Sequence, residues 1–302
     1  MPTGAEAFWL GLGAAALAAG AVAATWAAGP RRGRLVPVAG LVLLIGWLVG
    51  LSRVQVSEGA IDPDPSVLAL VLLGVGSVVP PSRGGVPLRA VALLPGAFLL
   101  AMPSEAPTWA ELGAVVAIVI GTLGLGRLDR VGGAVGAGPV LVAVSVAGVW
   151  VTVPETDAVV ALLGAAVPFG LLAFPYPLAT VGRVFGGPVV GALVWNTLAG
   201  GVGRDGALVG GLASLGLCLI VPFVDRRADM AVARSSQWRT LPPLVAVHTA
   251  LVLYAARIAG QPDSGLAAAV LAAVGIVVVG FVLVRTDVWR AMVASGGRSE
   301  AG

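Results

Sequence analysis

The chain has 302 residues, of which 58% are hydrophobic and only 11% are charged, and its formal net charge is +3. Soluble domains are roughly 45–50% apolar and about 25% charged, so a mean hydropathy of +1.00 excludes a water-soluble globular fold for most of this chain. A chain of this length could not bury so much apolar surface in water, and we therefore expect lipid to surround most of it.

The long apolar segments do not alternate apolar and polar residues, which excludes outer-membrane strands. A single segment that crosses hydrocarbon must satisfy its own backbone hydrogen bonds, and an α-helix does so. We therefore predict an all-α fold, a polytopic integral membrane helix bundle in which residues 1–302 form one transmembrane domain.

Eleven apolar runs are long enough to be treated as transmembrane helices. In chain order they are Ala7–Ala28, Leu35–Ser52, Val67–Val79, Ala90–Met102, a fifth that ends near Gly126, Val131–Val153, a seventh that begins at Ala158, Phe185–Val202, Ala207–Val224, Leu241–Gly260 and Leu266–Val284. The short third run and the proline-containing seventh leave a count of ten open.

The first run resembles a secretory signal in its alanine content, but the order of charges differs. A signal peptide begins with a positive region, whereas Glu6 precedes this run and Arg31, Arg32 and Arg34 follow it. Because basic residues favour the cytoplasmic side, we expect a retained helix with its N-terminus outside.

The arginines support this orientation along the whole chain. With eleven alternating spans, fifteen of the 18 basic residues, all of them arginine, fall on the inner side. The most basic segment, residues 225–239, is then a cytoplasmic loop, and residues 286–302 form a short cytoplasmic tail. We predict a multipass protein of the cytoplasmic membrane. Orientation accounts for the positive charge, so we expect the lipid bilayer as partner and no nucleic acid.

Ionisable residues in the middle of a membrane helix usually mark function, and they are scarce here. No Asp or Glu falls near the middle of a predicted helix, which disfavours ion-coupled transport and catalysis by paired carboxylates. Cys218 and His248 are the only residues of their types. Together they provide too few ligands for a metal site, and we expect no metal and no cofactor.

Four residues are candidates for contact with a substrate inside the bundle. His248 lies about 9 Å into the tenth predicted helix. On the same helix, Tyr254 and Arg257 share a face near the outer end. Asn196, in the eighth helix, shares a face with small residues, a pattern that is also typical of helix packing in lipid.

The hairpin between the seventh and eighth runs is rich in helix-breaking residues. Pro175 and Pro177 lie between the two runs, and Pro168 is expected to interrupt the seventh. Interrupted helices in membranes occur where protein or a watery cavity supplies hydrogen-bond partners, and transporters use them to bind substrate. We therefore include Pro175 and Pro177 among the candidate cavity residues.

Glycine spacing is less informative than it looks. Gly46/Gly50 and Gly187/Gly191 have the Gly-x-x-x-Gly spacing of membrane helix dimers. With 44 glycines in 302 residues, however, chance placement yields about as many such pairs as the six that are present. The spacing alone predicts no contact.

Three functions are compatible with this sequence. The interrupted hairpin favours a permease or channel-like protein for a small or lipidic solute. The scarcity of buried charge also suits a non-catalytic scaffold or subunit that binds another membrane protein. The acidic residues Asp62, Asp64 and Glu155, all predicted outside, would suit an enzyme that acts on a lipid-linked substrate at the outer face.

Overall fold

In this computed structural model of the chain, structure is described for residues 3–29, 36–58, 65–79, 85–102, 108–128, 137–152, 157–172 and 178–201. The ninth, tenth and eleventh predicted helices, the arginine-rich loop 225–239 and the tail 286–302 lie outside the described residues. The count of eleven spans therefore stays a prediction.

The described part is all-helical, as predicted, and each of the first eight apolar runs forms one helix. The helices are α1 (Thr3–Ala28), α2 (Ala39–Glu58), α3 (Pro65–Val78), α4 (Gly85–Ala101), α5 (Thr108–Leu128), α6 (Ala137–Thr152), α7 (Asp157–Leu171) and α8 (Gly186–Gly201). The described residues contain no strand, only an isolated parallel bridge between Val36 and Ala179.

One described helix is long and apolar enough to cross a membrane by itself. It is α1, whose residues Gly4–Ala28 form an apolar stretch of 25 residues, while the apolar stretches of five other helices have 10–17 residues. The side chains of Trp9 and Leu17 on α1 are 65% and 80% exposed. Large apolar side chains of α1 therefore point away from the other described helices.

Helices α1, α2 and α7 pack against one another at glycines of α2. A Cβ atom on Gly46 would lie 2.6 Å from the carbonyl oxygen of Gly11 in α1 and 2.7 Å from the Cβ of Ala165 in α7. One turn later, a Cβ on Gly50 would lie 2.7 Å from the Cβ of Ala161. The spacing of Gly46 and Gly50 could arise by chance in the sequence. In the structure, however, both glycines lie where three helices cross, and small residues there allow close approach.

Helix α8 is the central helix of the described bundle. It contacts each of α2, α3, α4, α5, α6 and α7. From Gly186 to Leu198 its side chains are buried, except that of Trp195, which is partly buried. A helix that is apolar all round is expected in such a position, so the face of α8 that bears Asn196 is one of several buried faces.

Charged residues of three helices lie together at one end of the bundle. At this end, here called the Glu6 end, Arg53 Nη2 of α2 lies 2.9 Å from Glu6 Oε2 of α1, and Gly4 lies beside Asp157 Oδ1 of α7. The sequence assigns all of these residues to the outer side. Since both partners of the ion pair are about half exposed, it contributes roughly 0–1 kcal/mol.

Two local expectations are wrong. Pro168 does not interrupt the seventh run, because α7 includes it and continues to Leu171. A proline removes one backbone hydrogen bond, and a helix can bend around the missing bond. The fourth run is predicted to begin at Ala90, just after Arg89, but α4 already begins at Gly85 and the side chain of Arg89 is only 4% exposed.

Candidate functional site

A non-helical segment, residues 178–185, leads into the central helix and is here called the entry segment. Its backbone pairs with the residues that precede α2: Val36 N donates to Leu178 O (3.1 Å), and Thr180 N donates to Val36 O (3.0 Å). The start of α2 continues the pairing, since Ala39 N donates to Thr180 O at 2.9 Å. Non-helical backbone inside the bundle thus has its hydrogen bonds satisfied by another segment of the chain.

Gly182 allows the entry segment to approach α2 closely. Its φ is +87°, and it is the one described residue in the left-handed region. A Cβ atom at this position would collide with the carbonyl oxygen of Pro37. The neighbouring Arg183 donates a hydrogen bond from Nη2 to the carbonyl oxygen of Val79, just past the end of α3. The entry segment is therefore attached to both α2 and α3, and this end of the bundle is here called the Arg183 end.

The first turn of α8 is also attached to α3. Gly187 N donates to Ser77 Oγ at 3.2 Å, and Ser77 is fully buried. An N–H group in the first turn of a helix has no partner within its own helix, so Ser77 supplies one from a neighbouring helix. This contact fixes the position at which the central helix begins.

Arg89 contributes a buried guanidinium group at the Arg183 end. It projects from α4 towards α5, where its Nη1 and Nη2 atoms lie 3.0 Å and 3.2 Å from the position that a Cβ on Gly126 would occupy. A methyl group at position 126 would therefore make a tight contact with this guanidinium group. The described residues thus place Arg89 and Arg183 near one end of the bundle.

Asn196 lies in the middle of the central helix. It is ten residues after the start of α8, or about 15 Å along the axis, and its side chain is fully buried. Its Nδ2 donates to the carbonyl oxygen of Ala192 at 2.7 Å, whereas Oδ1 has no hydrogen-bond partner among the described residues. The next residue, Thr197, donates from Oγ1 to the carbonyl oxygen of Leu193 at 2.9 Å. Adjacent polar residues therefore differ, because Thr197 Oγ1 has a hydrogen-bond partner, whereas Asn196 Oδ1 has none among the described residues.

Two further buried polar groups lie on helices that contact α8. Trp47 of α2 is fully buried, and its Nε1 has no hydrogen-bond partner in the described part of the chain. Its ring centroid lies 5.7 Å from that of Trp195, the neighbour of Asn196, in an edge-to-face arrangement. Ser145 of α6 is 1% exposed, and its Oγ is likewise unpartnered within the described residues. Trp47, Ser145 and Asn196 are here called the central polar positions.

Charged side chains lie away from these positions. Glu6, Glu111 and Asp157 occupy the first turns of their helices, and Arg89 lies near the start of α4. The described residues contain no group of three or more His, Cys, Asp or Glu side chains that could hold a metal ion. The described interior can therefore donate and accept hydrogen bonds, but it offers no charged group beside Asn196.

The structure tests only some of the predicted site residues. It places Asn196 at the centre of the bundle, while His248, Tyr254, Arg257, Pro175 and Pro177 lie outside the described residues. Trp47 and Ser145 are not among the predicted site residues. Ser145 is an isolated hydroxyl in the middle of an apolar run, and that isolation was the available signal, whereas Trp47 is one of 8 tryptophans and nothing in the sequence distinguishes it.

Comparison with known proteins assigns no family to this chain. No protein-family model matches the chain, and neither a curated protein nor a solved structure matches it. Function therefore has to be inferred from the entry segment and from the central polar positions.

Proposed function

We propose that this chain is a multipass protein of the cytoplasmic membrane and acts as a permease or channel-like protein for a small or lipidic solute. Support for multiple spans comes from large apolar side chains exposed on several helices. Besides Leu17 of α1, Val75 of α3, Val91 of α4 and Met102 are 65%, 61% and 68% exposed. Soluble monomers rarely expose apolar surface on this scale, whereas lipid would cover it.

The observation that carries the permease proposal is the interruption before the central helix. Helix α8 has 16 residues, or about 24 Å, and a bilayer core is about 30 Å thick. If α8 spans the membrane, it is shorter than the bilayer core, and the entry segment covers the remaining thickness inside the hydrocarbon region. Non-helical backbone is found there only where protein or a water-filled cavity supplies partners, and transporters place such breaks at their substrate sites.

A scaffold is the second candidate, and the close packing of α1, α2 and α7 favours it. Contacts through Gly46 and Gly50 leave little room for a solute between these three helices. A permease can have such a rigid part and still conduct a solute around α8, so we retain the permease as the main proposal. The enzyme hypothesis stays a prediction, because Asp62, Asp64 and Glu155 lie outside the described residues.

Cysteine labelling tests the proposed topology. In a Cys218→Ala background, Gly33→Cys and Arg227→Cys should react with a membrane-impermeant maleimide only when the cytoplasmic face is accessible. Glu58→Cys should react from the outside in intact cells, because the arginine distribution places the end of α2 there. Labelling of positions 33 and 227 from opposite faces would contradict this topology.

A deletion strain tests the transport proposal. Untargeted comparison of metabolites and lipids, inside cells and in the medium, should reveal at least one species whose distribution changes on deletion and is restored by the wild-type gene. No change in any solute or lipid would contradict both the permease and the enzyme. Loss of another membrane protein or complex under the same conditions would instead support the scaffold.

A further inference from the structure

Trp47 and Asn196 bring an unused donor and an unused acceptor into one region of the bundle. Helices α2 and α8 are in contact, and the Trp47–Trp195 ring contact places Trp47 beside the turn of α8 that contains Asn196. Both residues are fully buried. Counted from the starts of α2 and α8 at the Arg183 end, they lie about 12 Å and 15 Å along their helices.

Buried polar atoms are normally hydrogen-bonded, because removing them from water without a partner is costly. Thr122 and Thr197 follow that rule: Thr122 donates to Ile118 O at 2.7 Å, and Thr197 donates to Leu193 O at 2.9 Å. Asn196 Oδ1, Trp47 Nε1 and Ser145 Oγ are among the buried atoms of the described interior that depart from it, as is Trp26 Nε1. The first three belong to α8 and to two helices that contact it. Exceptions of this kind call for a partner, which a bound solute can provide.

We infer that the central polar positions bind a small uncharged polar solute of the polyol or amide class; this inference rests on the proposed permease function. A hydroxyl or amino group of the solute donates to Asn196 Oδ1, and an oxygen of the solute accepts from Trp47 Nε1. Ser145 Oγ can do either. A solute that carries both kinds of group is matched by these side chains.

The distribution of charge selects against ions. Moving an ion to the middle of a membrane bundle requires a compensating charge or water. The buried polar residues level with Asn196 in the described structure are uncharged, and the described carboxylates lie at helix ends. An uncharged solute gains the available hydrogen bonds without this electrostatic cost.

Stopped-flow light scattering on proteoliposomes tests the inference with the full chain. Glycerol and urea are the uncharged probes, and potassium gluconate and choline chloride are the charged ones. We expect glycerol or urea to enter wild-type proteoliposomes at least about tenfold faster than protein-free liposomes. The Asn196→Leu substitution should lower the entry rate about tenfold, because it removes one buried hydrogen bond to the solute. Neither charged probe should enter faster than in protein-free liposomes.

Thr197→Val is the matched control, because it alters a buried polar residue of α8 whose hydroxyl already has a partner in its own helix. It should leave the rates unchanged. Trp47→Phe keeps an aromatic ring but removes the N–H donor, so it should also slow uncharged solutes. If Asn196→Leu does not yield a monodisperse protein, Trp47→Phe decides the result.

Two results would overturn the inference. One is an unchanged rate in the variants, and the other is failure of glycerol and urea to enter faster than in protein-free liposomes. Entry of a charged probe alone would leave the permease proposal standing while refuting the uncharged solute. If no probe enters and the deletion strain shows no change in any solute, the permease proposal fails as well.

Discussion

Gly182→Ala is expected to destabilise the folded protein by about 3 kcal/mol or more. Two costs add at this position. The φ of +87° costs an L-residue with a side chain roughly 1–2 kcal/mol. The new methyl group would also meet the carbonyl oxygen of Pro37, and forcing extra atoms into a packed site typically costs about 1–3 kcal/mol.

The surrounding backbone cannot easily move away from that methyl group. Residues on both sides of Pro37 are hydrogen-bonded to the entry segment, through Val36 to Leu178 and through Ala39 to Thr180. A shift of Pro37 would therefore break the pairing that holds α8 against α2. We expect either a clearly lower melting temperature or little folded protein after extraction.

Tryptophan fluorescence during heating in detergent measures this effect, since the chain has 8 tryptophans. Gly20→Ala in α1 is the control because a Cβ there meets nothing within 4 Å. In a helix, alanine is favoured over glycine by up to about 1 kcal/mol, so the control should melt at the same temperature or higher. Equal melting of the Gly182→Ala protein and the wild type would show that the entry segment is not held as described.

The sequence predicts where helices form much better than where they begin. The second run was expected to start at Leu35, but α2 starts at Ala39 because Val36 pairs with residues 178–180. That pairing joins parts of the chain more than 140 residues apart, and local hydropathy carries no information about it. At Arg89, likewise, a single charge at the start of an apolar run predicts the end of a loop, although α4 buries this side chain beside Gly126.

In the candidate site, too, the sequence identifies unusual residue types but not the tertiary contacts that they make. Asn196 could be chosen from the sequence because an amide in an apolar helix is conspicuous. Trp47 could not be singled out among the tryptophans, since its role depends on whether Nε1 finds a partner across α2 and α8. The predictions for His248, Tyr254 and Arg257 remain predictions, because those residues lie beyond the described part.

Gly46→Leu is expected to have the second large effect, a loss of at least about 3 kcal/mol from overpacking. A first side-chain atom at position 46 would already lie 2.6 Å from the backbone oxygen of Gly11 and 2.7 Å from the Cβ of Ala165. Three more carbons cannot be accommodated unless α1 or α7 moves away from α2. Because membrane helices associate mainly through close packing and interhelical hydrogen bonds, such a separation removes much of what holds α1 in place.

A cross-link between α1 and α2 distinguishes this separation from general unfolding. Glu6 and Arg53 are 2.9 Å apart at their charged ends, so cysteines at these two positions, in the Cys218→Ala background, should be joined by a short bismaleimide. Gly46→Leu should abolish the cross-link and lower the melting temperature, whereas Gly113→Leu in α5, where a Cβ meets nothing within 4 Å, should do neither. If the cross-link forms at the wild-type rate in the Gly46→Leu protein, then α1 and α2 do not depend on contact at this glycine. The close packing that favours the scaffold hypothesis would lose its support at the same time.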